Sequence, residues 1–414
     1  MALKIVNLAY FISRRIYEKD RNRHRISSPV LKIAIGAIAL GMAVMLIAIS
    51  TGIGLQRDIR RNLSAFAGHI QITAPYDAAS ARTPSISKKQ DFYPDFSSVP
   101  QVARVQAFAR QAGVLKKEDE FAGLILKGID SAYDRSAWQP FVKSGSIPHF
   151  GHSGAADSIL LSQNTADALE LSTGERIKMY FLRDSARPIL RYFTVAGTYK
   201  TGISDFDDNY ALGDLRAVQS INRWDSMQVE GFEIVLHRPQ DLDQATAAIL
   251  NETQWQYQVT NIASEHGALL DWIAMFDINI AVILGIMILV CGVNMITVLL
   301  ILILEKTSFI GLMKSLGASD SLLRRIFLWN AFYIAVRGLL WGNIVGIALL
   351  LAQKYFGIVT LDSQSYSIEV VPVYLNLWVI LALNAGTALL NMLMLALPSY
   401  FIARIHPAKT VKYE

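Results

Sequence analysis

Four long runs that are almost free of charged residues constrain this sequence more than any other feature. Residues 33–56 and 278–304 contain no Asp, Glu, Lys or Arg, and residues 370–403 contain none either. A further run, residues 326–353, is interrupted only by Arg337. A helix of about 24 residues is ~36 Å long, which exceeds the ~30 Å hydrocarbon core of a bilayer. The sequence therefore predicts a membrane protein with four transmembrane α-helices.

Composition agrees with this prediction and excludes other classes. The chain has 414 residues, of which 52% are hydrophobic, and its mean hydropathy is +0.32. A cleaved signal peptide is the alternative interpretation of the first run, but the run is too long for such a segment and lacks a small-x-small cleavage site. Cys291 is the only cysteine in the sequence, so an internal disulfide is excluded.

The distribution of basic residues predicts the orientation of the spans. Lys and Arg are concentrated before the first run, between the second and third runs, and after the fourth. Positive segments stay on the cytoplasmic side, so we expect both termini in the cytoplasm and a large segment on the outer side. The four spans are expected at residues 33–56, 271–304, 322–353 and 372–403. A cytoplasmic amphipathic segment (1–32) precedes the first span, and an outer domain (57–270) follows it. A cytoplasmic segment (305–321), a short outer loop (354–371) and a cytoplasmic tail (404–414) follow the second, third and fourth spans.

The segment between the first two spans has the pattern of a large α+β domain. Residues 68–75, 104–117 and 120–130 have strand-like alternation, and residues 158–171 read as a strand followed by a helix with Ser162 as N-cap. Residues 176–199 predict a long hairpin. We expect two α+β subdomains, the second inserted into the first at about residues 131–225.

Motifs for enzyme chemistry are weak. The sequence has no G-x-x-x-x-G-K-[ST] motif, so it predicts a chain without its own ATPase site. "GHSGA" at Gly151 does not meet the spacing of a nucleophile elbow. His149 and His152 have no further clustered ligand, and "SDFDD" from Ser204 is interpreted as an acidic turn rather than a cation site. We therefore expect a protein that is not an enzyme and binds no metal.

Several motifs together resemble a known family. "ILEKTSFIGLMKSLGAS" (303–319) resembles the E-K-x-x-x-I-x-x-[LM]-[KR]-[ST]-[LM]-G-A signature of the macrolide-exporter-like ABC permeases. The first run with its continuation to residue 73 is similar to the first span and stalk of the lipoprotein-releasing members, and "HPAKTVKYE" (406–414) is similar to their ending. The resemblance covers essentially the whole chain. Arg337 is a departure from the expected family pattern.

The resemblance implies a function and partners. It implies the permease subunit of a bacterial inner-membrane transporter that extracts membrane lipoproteins and passes them to a periplasmic carrier. Its implied partners are a separate ABC ATPase, which holds ATP and Mg, a second permease protomer (identical or different), and membrane lipid, with no nucleic acid and no cofactor on this chain. A tripartite efflux permease for small molecules or peptides, and a permease that transmits force without transport, are the alternatives.

A short segment between the second and third spans is the predicted coupling site. Its apolar residues recur at helical spacing on one face, and Gly317 is expected to end the turn in a left-handed conformation. Lys314 and Ser315 are expected to point outward. An interfacial helix that lies on lipid is the alternative interpretation. The predicted ATPase-coupling residues are Phe309, Leu312, Met313, Lys314, Ser315, Leu316 and Gly317.

Residues inside the spans are predicted to line a cavity or to pack helices together. An apolar cavity between two protomers, implied by the resemblance, would be lined by Gly41, Met45, Ile49, Ile53, Phe276 and Ile280. Ordinary helix packing is the alternative for this set. Small residues four apart and a polar stripe predict interhelical contacts, and the residues are Gly338, Gly342, Gly346, Asn384 and Asn391, with Asn376.

The tip of the long hairpin is the predicted contact for the carrier. A protruding loop at a similar place recruits the carrier in one protomer of the lipoprotein-releasing permeases. Pro188 would stiffen the tip, and the arginines would present donors to carboxylates. A solvated hairpin is the alternative. The residues are Arg183, Asp184, Arg187, Pro188 and Arg191.

Overall fold

The computed structural model describes residues 11–12, 27–75, 84–151, 157–182, 188–254, 256–360 and 370–399. The chain divides into two compact units. A membrane unit comprises residues 1–56, 273–359 and 370–414, and an inserted domain comprises residues 57–272 with 360–369.

The secondary structure alternates between long helices and short strands. The helices are α1 (Ser27–Ala67), α2 (Arg135–Trp138), α3 (Gln163–Ala168), α4 (Ser204–Asn209), α5 (Leu215–Asn222), α6 (Leu242–Glu252), α7 (Ile262–Glu265), α8 (Gly267–Glu305), α9 (Thr307–Ser315), α10 (Asp320–Phe356) and α11 (Leu377–Ser399). The strands are β1 (Ile70–Thr73), β2 (Ile86–Ser87), β3 (Val102–Lys117), β4 (Glu120–Ile129), β5 (Val142–Gly145), β6 (Ser158–Ser162), β7 (Arg176–Phe181), β8 (Ile189–Tyr199), β9 (Tyr210–Asp214), β10 (Gln228–Val229), β11 (Gly231–Leu236) and β12 (Gln258–Asn261).

Four helices, α1, α8, α10 and α11, are long and apolar enough to cross a membrane. Three of them extend beyond the expected bounds at both ends, because polar residues at the ends continue the helical hydrogen bonding. The fourth, α11, begins at Leu377 rather than at residue 372. Asn376 precedes it, and its side-chain oxygen accepts a hydrogen bond from the Trp378 N–H at 2.8 Å, so Asn376 caps the helix instead of lying on its face.

The membrane unit has its own apolar core. The buried side chains come from all four spans, and they include Met42, Met45 and Leu46 from α1, Met295 and Leu299 from α8, Phe327 and Ile334 from α10, and Leu395 from α11. The same cluster includes the buried Ile310 of α9. The short helix is therefore anchored to the bundle by its inward face.

Glycines on α10 allow α1 to approach closely. A Cβ atom on Gly338 would lie 2.6 Å from Ile38 Cβ, and one on Gly342 would lie 2.6 Å from the Ala39 carbonyl oxygen. At Gly346 the nearest atoms, in Ala43 and Leu46, would be 3.1–3.2 Å away. The three small residues thus face the first span of the same chain, where a side chain would separate the two backbones.

The inserted domain is built on one mixed sheet of ten strands. Six of the strands form a closed ring of hydrogen-bonded neighbours, in the order β3–β4–β9–β6–β8–β7 and back to β3. β11, β1 and β12 extend the sheet from β3, and β5 adds to β8. Ring closure leaves fewer open strand edges, which removes sites for unwanted pairing.

Strand pairing joins the two subdomains that the sequence predicted, and their division at about residues 131–225 stays a prediction. Strands from residues 131–225 pair with strands outside that range, β9 with β4 and β7 with β3. One buried cluster also joins both parts, with Phe181 and Val195 packed among the same residues as Ile70 and Ile234. A second buried cluster lies mostly within residues 129–212 and takes in Leu63 and Phe66 from the end of α1.

Local predictions for the domain agree with the structure. Ser162 is the N-cap of α3, and its hydroxyl oxygen accepts a hydrogen bond from the Thr165 N–H at 3.1 Å. The hairpin β7–β8 is present. "SDFDD" forms α4, and the buried Asp207 carboxylate accepts hydrogen bonds at 2.8 Å from the backbone N–H groups of Thr201 and Gly202.

Candidate coupling site and membrane interior

The short helix α9 ends in a rigid corner. Gly317 has φ +90°, and it donates from its N–H to the Lys314 carbonyl at 3.0 Å. Ala318 donates to the Met313 carbonyl at 2.9 Å. This pair of bonds is a Schellman motif, which requires a left-handed residue at the position of Gly317. Ser319 then caps α10, so the corner passes directly from one helix to the next.

An ion pair closes the same corner. Lys314 Nζ lies 2.9 Å from Asp320 Oδ1, and the Lys314 side chain is only 12% exposed. The expectation that Lys314 points outward is therefore wrong, because Asp320 at the start of α10 draws its ammonium back over the turn. Ser315 is exposed as expected, and its hydroxyl donates to the Leu312 carbonyl at 2.7 Å.

The apolar face predicted for α9 divides into two parts. Ile310 is fully buried, and Met313 packs against the membrane core. Leu312 and Leu316, in contrast, are 57% and 75% exposed. These two leucines are four residues apart and so lie side by side on the helix surface. Phe309 is half-buried between the two parts. The corner therefore presents a compact apolar surface away from its own bundle.

Two of the six residues predicted to line a cavity pack within the chain. Met45 is completely buried, and Gly41 is covered by Cys291, whose Sγ would lie 2.6 Å from an added Cβ. Ile280 covers Gly52 in the same way, at 2.2 Å. Gly41 and Met45 are thus packing residues in this structure, a correction that follows from the contact between α1 and α8. Ile49, Ile53, Phe276 and Ile280 are partly exposed.

Helix α8 also carries an exposed apolar stripe. Its residues recur every three or four positions, and they are Met275, Ile278, Val282, Ile286, Leu289 and Val293. A stripe with this spacing covers one face of a helix, which in a membrane contacts lipid or another protein chain. The sequence did not distinguish this face because every face of α8 is apolar.

The asparagines predicted to form a polar stripe on α11 differ in their hydrogen bonding. Asn384 and Asn343 of α10 exchange two hydrogen bonds, at 2.7 Å and 3.0 Å between their amide groups. Asn391 is 1% exposed, and neither atom of its amide has a hydrogen-bond partner among the described residues. Sequence reasoning missed Asn343, although a polar residue within an apolar run is the signal for such a pair.

The predicted carrier hairpin is only partly within the described residues. Arg183, Asp184 and Arg187 lie outside them. Pro188 is exposed, and Arg191 lies inside strand β8 opposite Met179, where its guanidinium donates to the Ser220 hydroxyl of α5. Arg191 therefore lies in the strand and not at the tip, because β8 begins at Ile189.

A buried ionic network in the inserted domain was not predicted. Lys127 Nζ lies 2.6 Å from Glu233 Oε1 and also donates to the Phe66 carbonyl, while Tyr133 donates to Glu233 Oε2 at 2.9 Å. Phe66 is the penultimate residue of α1, so Lys127 satisfies a carbonyl that the helix end leaves without a partner. Burial lowers the pKa of Lys127, although the charge of Glu233 opposes this effect.

A neighbouring pair supports this network. Arg110 donates from Nε to Glu230 Oε1 at 2.8 Å. Burial alone would lower the pKa of Arg110, but the charge and hydrogen bonds of Glu230 outweigh burial and raise it. The first pair joins β4 to β11 by charge, and the second joins β3 to Glu230, the residue that precedes β11.

Comparisons with known proteins agree with the membrane and domain architecture. Residues 33–252, more than half of the chain, match the family described as MacB-like periplasmic core domain, and residues 281–407 match FtsX-like permease C-terminal. The lipoprotein-releasing system transmembrane protein LolE of Haemophilus influenzae is 22% identical over 98% of this chain and 99% of its own length. The transmembrane protein LolC of Neisseria meningitidis serogroup B is 23% identical over 96% of this chain and 97% of its own length.

Two further similarities are more distant or partial. The pyoverdine export ATP-binding/permease protein PvdT of Pseudomonas fluorescens is 23% identical over 80% of this chain, but the match spans 50% of its length. The solved extracellular domain of the transporter YknZ from Gram-positive bacteria is 16% identical, with a TM-score of 0.31 over 47% of this chain and 99% of that one.

The first matched range contains most of the inserted domain and its sheet, and the second contains the α9 corner with the helices that flank it. The protein is a multi-pass bacterial inner-membrane protein with a periplasmic domain. This chain belongs to the ABC-transporter permeases that combine a MacB-like periplasmic core domain with an FtsX-like permease C-terminal region.

Proposed function

We propose that this chain is the permease of a transporter that extracts lipoproteins from the outer leaflet of the inner membrane and passes them to a periplasmic carrier. ATP hydrolysis on a separate subunit, which holds ATP and Mg, would drive the extraction. The observation that carries the proposal is the α9 corner, where two exposed leucines, Leu312 and Leu316, stand on a helix locked to the bundle. Such a surface suits an apolar cleft on a soluble ATPase.

The lipoprotein substrate is proposed from the relatives. Those named for lipoprotein release match this chain over nearly their whole length. A second permease protomer is part of the proposal, since the exposed stripe on α8 offers an apolar face for it. The hairpin tip at residues 183–188 is the proposed carrier contact.

The proposed orientation places both termini and the α9 corner in the cytoplasm. Single cysteines at Ser315 and at Ser87, introduced in a Cys291→Ala background, test it. A membrane-impermeant maleimide should label the cysteine at position 87 in spheroplasts. It should label the cysteine at position 315 only after permeabilisation. The reverse pattern would invert the topology.

Purification of the tagged chain from native membranes, followed by mass spectrometry and reconstitution, tests the function. We expect an ABC ATPase and lipoproteins to co-elute. Reconstituted complex should release labelled lipoprotein only with ATP and carrier present. Hydrolysis without release, even with carrier in excess, would contradict lipoprotein transport.

A second candidate function is export of a small molecule. It is supported by the similarity to the pyoverdine export protein over 80% of this chain. The same purification distinguishes the two functions. Co-elution of a periplasmic adaptor with an outer-membrane channel, in place of lipoproteins, would favour export.

A further inference from the structure

A small cavity opens on the surface of the membrane unit between α10 and α11. It has a volume of about 270 Å³ and is lined by Arg325, Leu328, Trp329, Phe332 and Met392. The first four residues are spaced by three, one and three positions, so they lie on one face of α10. Met392 closes the cavity from α11. Four of the five lining side chains are apolar, and the fifth is a guanidinium.

The charged and apolar ends of the cavity lie at different depths in the membrane. Arg325 is the sixth residue of α10, on the side of the membrane that carries α9. Phe332 is seven residues further along, which is ~10 Å of helix. The charged end of the cavity thus lies near the membrane surface and its apolar floor lies toward the bilayer interior.

Arg325 is exposed and forms no ion pair with any described residue. The nearest acidic residue on its own helix, Asp320, is already paired with Lys314. A guanidinium at a membrane surface that has no counter-ion among the described residues is suited to a phosphate, which it binds with two parallel hydrogen bonds. Trp329 and Phe332, whose rings meet edge-on at 5.5 Å, form a firm wall below it.

We propose that this cavity binds one anionic glycerophospholipid. Its phosphate pairs with Arg325 and one acyl chain lies along Leu328, Phe332 and Met392. A soluble acidic partner would satisfy Arg325 but leave the apolar floor open. The residues 400–414 carry Arg404, Lys409 and Lys412 against Glu414, so their charge does not complement Arg325. A lipid satisfies both ends of the cavity.

Native mass spectrometry of the full-length protein tests the proposal. Phosphatidylglycerol and phosphatidylcholine with the same acyl chains are titrated in turn. Both lipids carry a phosphate, but the choline cation of phosphatidylcholine offsets its charge and is repelled by Arg325, so we expect phosphatidylglycerol to bind about tenfold more tightly. Arg325→Gln should abolish the preference. Lys354→Gln, at the exposed far end of the same helix, should retain it.

Two further measurements separate a lipid from its headgroup alone. Met392→Trp fills the cavity floor but keeps Arg325, and it should reduce phosphatidylglycerol binding as strongly as Arg325→Gln. Millimolar inorganic phosphate or glycerol phosphate should not displace the lipid. Displacement by phosphate, or unchanged binding in either variant, would overturn the proposal.

Photolabelling of the wild-type protein tests the site without depending on variants that could misfold. Phosphatidylglycerol with a diazirine at mid-chain, incorporated into nanodiscs, should label the peptides that contain residues 325–332 and Met392. Labelling spread evenly over all four spans would show ordinary boundary lipid and refute a specific site. Labelling at this cavity that phosphatidylcholine reproduces equally would refute the role of the anionic headgroup.

Discussion

Lys127 and Glu233 form an ion pair at 2.6 Å whose two side chains are each only 2% exposed. The two residues lie on β4 and β11, which are separated by β3 in the sheet. A buried pair of this kind is costly to break, because the remaining charge has no water and no counter-ion.

We expect Lys127→Met to lower the stability of the protein by about 3–5 kcal/mol, since it leaves Glu233 charged and buried. Removing both charges in Lys127→Met/Glu233→Met should restore much of this loss. Thermal melting of the purified full-length chain measures both, with an expected drop of about 10 °C for the single variant. Lys178→Met, on an exposed position of β7, is the matched control. A double variant that melts below Lys127→Met would contradict the interpretation.

The stability of the inserted domain should depend on pH through His69. Burial lowers the pKa of His69 to about 4. Its Nδ1 accepts a hydrogen bond from the Leu236 N–H, which requires the neutral ring. In the unfolded chain the pKa is ~6.5, so between these values the unfolded state binds more protons. This contribution is fully present above pH ~6.5 and is lost as the pH falls toward 4, by about 3 kcal/mol in all.

The measurement is the melting temperature of wild type and His69→Gln at pH 7.5 and pH 5. Glutamine keeps an acceptor for Leu236 but does not titrate, so the variant should lose less stability on acidification than wild type. His237→Gln, at an exposed position, should behave like wild type. An equal acid response in wild type and His69→Gln would show that other groups cause it.

Glycine substitutions should report which backbones meet in the membrane unit. Gly342→Ala places a methyl group 2.6 Å from the Ala39 carbonyl oxygen, so we expect a loss of about 1–3 kcal/mol from overpacking. Gly346→Ala, with contacts at 3.1–3.2 Å, should cost less. Gly386→Ala, with no atom within 4 Å of the added Cβ, should be neutral or stabilising. Size-exclusion chromatography after heating measures all three. Equal thermal midpoints for Gly342→Ala and Gly386→Ala would contradict close packing of α1 on α10.

Much of the secondary structure was predictable because its signals are local. Uncharged runs marked the four spans, alternation marked β3 and β4, and Ser162 marked the start of α3. The long-range pairing within the inserted domain was not predictable. It depends on pairings such as β3 with β7 and on Lys127 with Glu233, which is 106 residues away.

The candidate sites show the same limit at the level of side chains. Spacing placed Leu312 and Leu316 on one helix face together with Met313, but only packing separates the exposed residues from the buried one. Met45 and Gly41 looked like a cavity lining because apolar residues in a span have the same sequence signature whether they face a cavity, lipid or another helix. Lys314 was expected in solvent because its partner Asp320 lies beyond the turn at Gly317. The fold of that turn, which brings the two side chains together, is not visible in the sequence.

The asparagines of α11 should differ in their contribution to stability. Asn384→Leu breaks two hydrogen bonds to Asn343, and bonds of this kind in membranes contribute about 0.6–1.7 kcal/mol. Asn391→Leu removes a buried amide without a hydrogen bond among the described residues, so we expect it to be neutral or stabilising. Thermal midpoints compare the two, with Asn343→Leu/Asn384→Leu as the control for pairing. A lower thermal midpoint for Asn391→Leu than for Asn384→Leu would show that the Asn391 amide has an essential partner.

The exposed leucines of the α9 corner should be required for coupling to the ATPase. In Leu312→Asp/Leu316→Asp two carboxylates would have to enter an apolar cleft without hydrogen-bond partners, which costs several kcal/mol. Both side chains point away from the bundle, so the variant should still insert and show wild-type thermal stability. We expect the ATPase to be absent from the purified variant, and hydrolysis in mixed proteoliposomes to fall to the level of the isolated ATPase. Leu312→Met/Leu316→Met keeps the surface apolar and should retain the ATPase. Ile310→Asp, at a fully buried position of the same helix, should instead prevent folding. ATPase bound at wild-type level by the double aspartate variant would mean that the ATPase docks elsewhere on the permease.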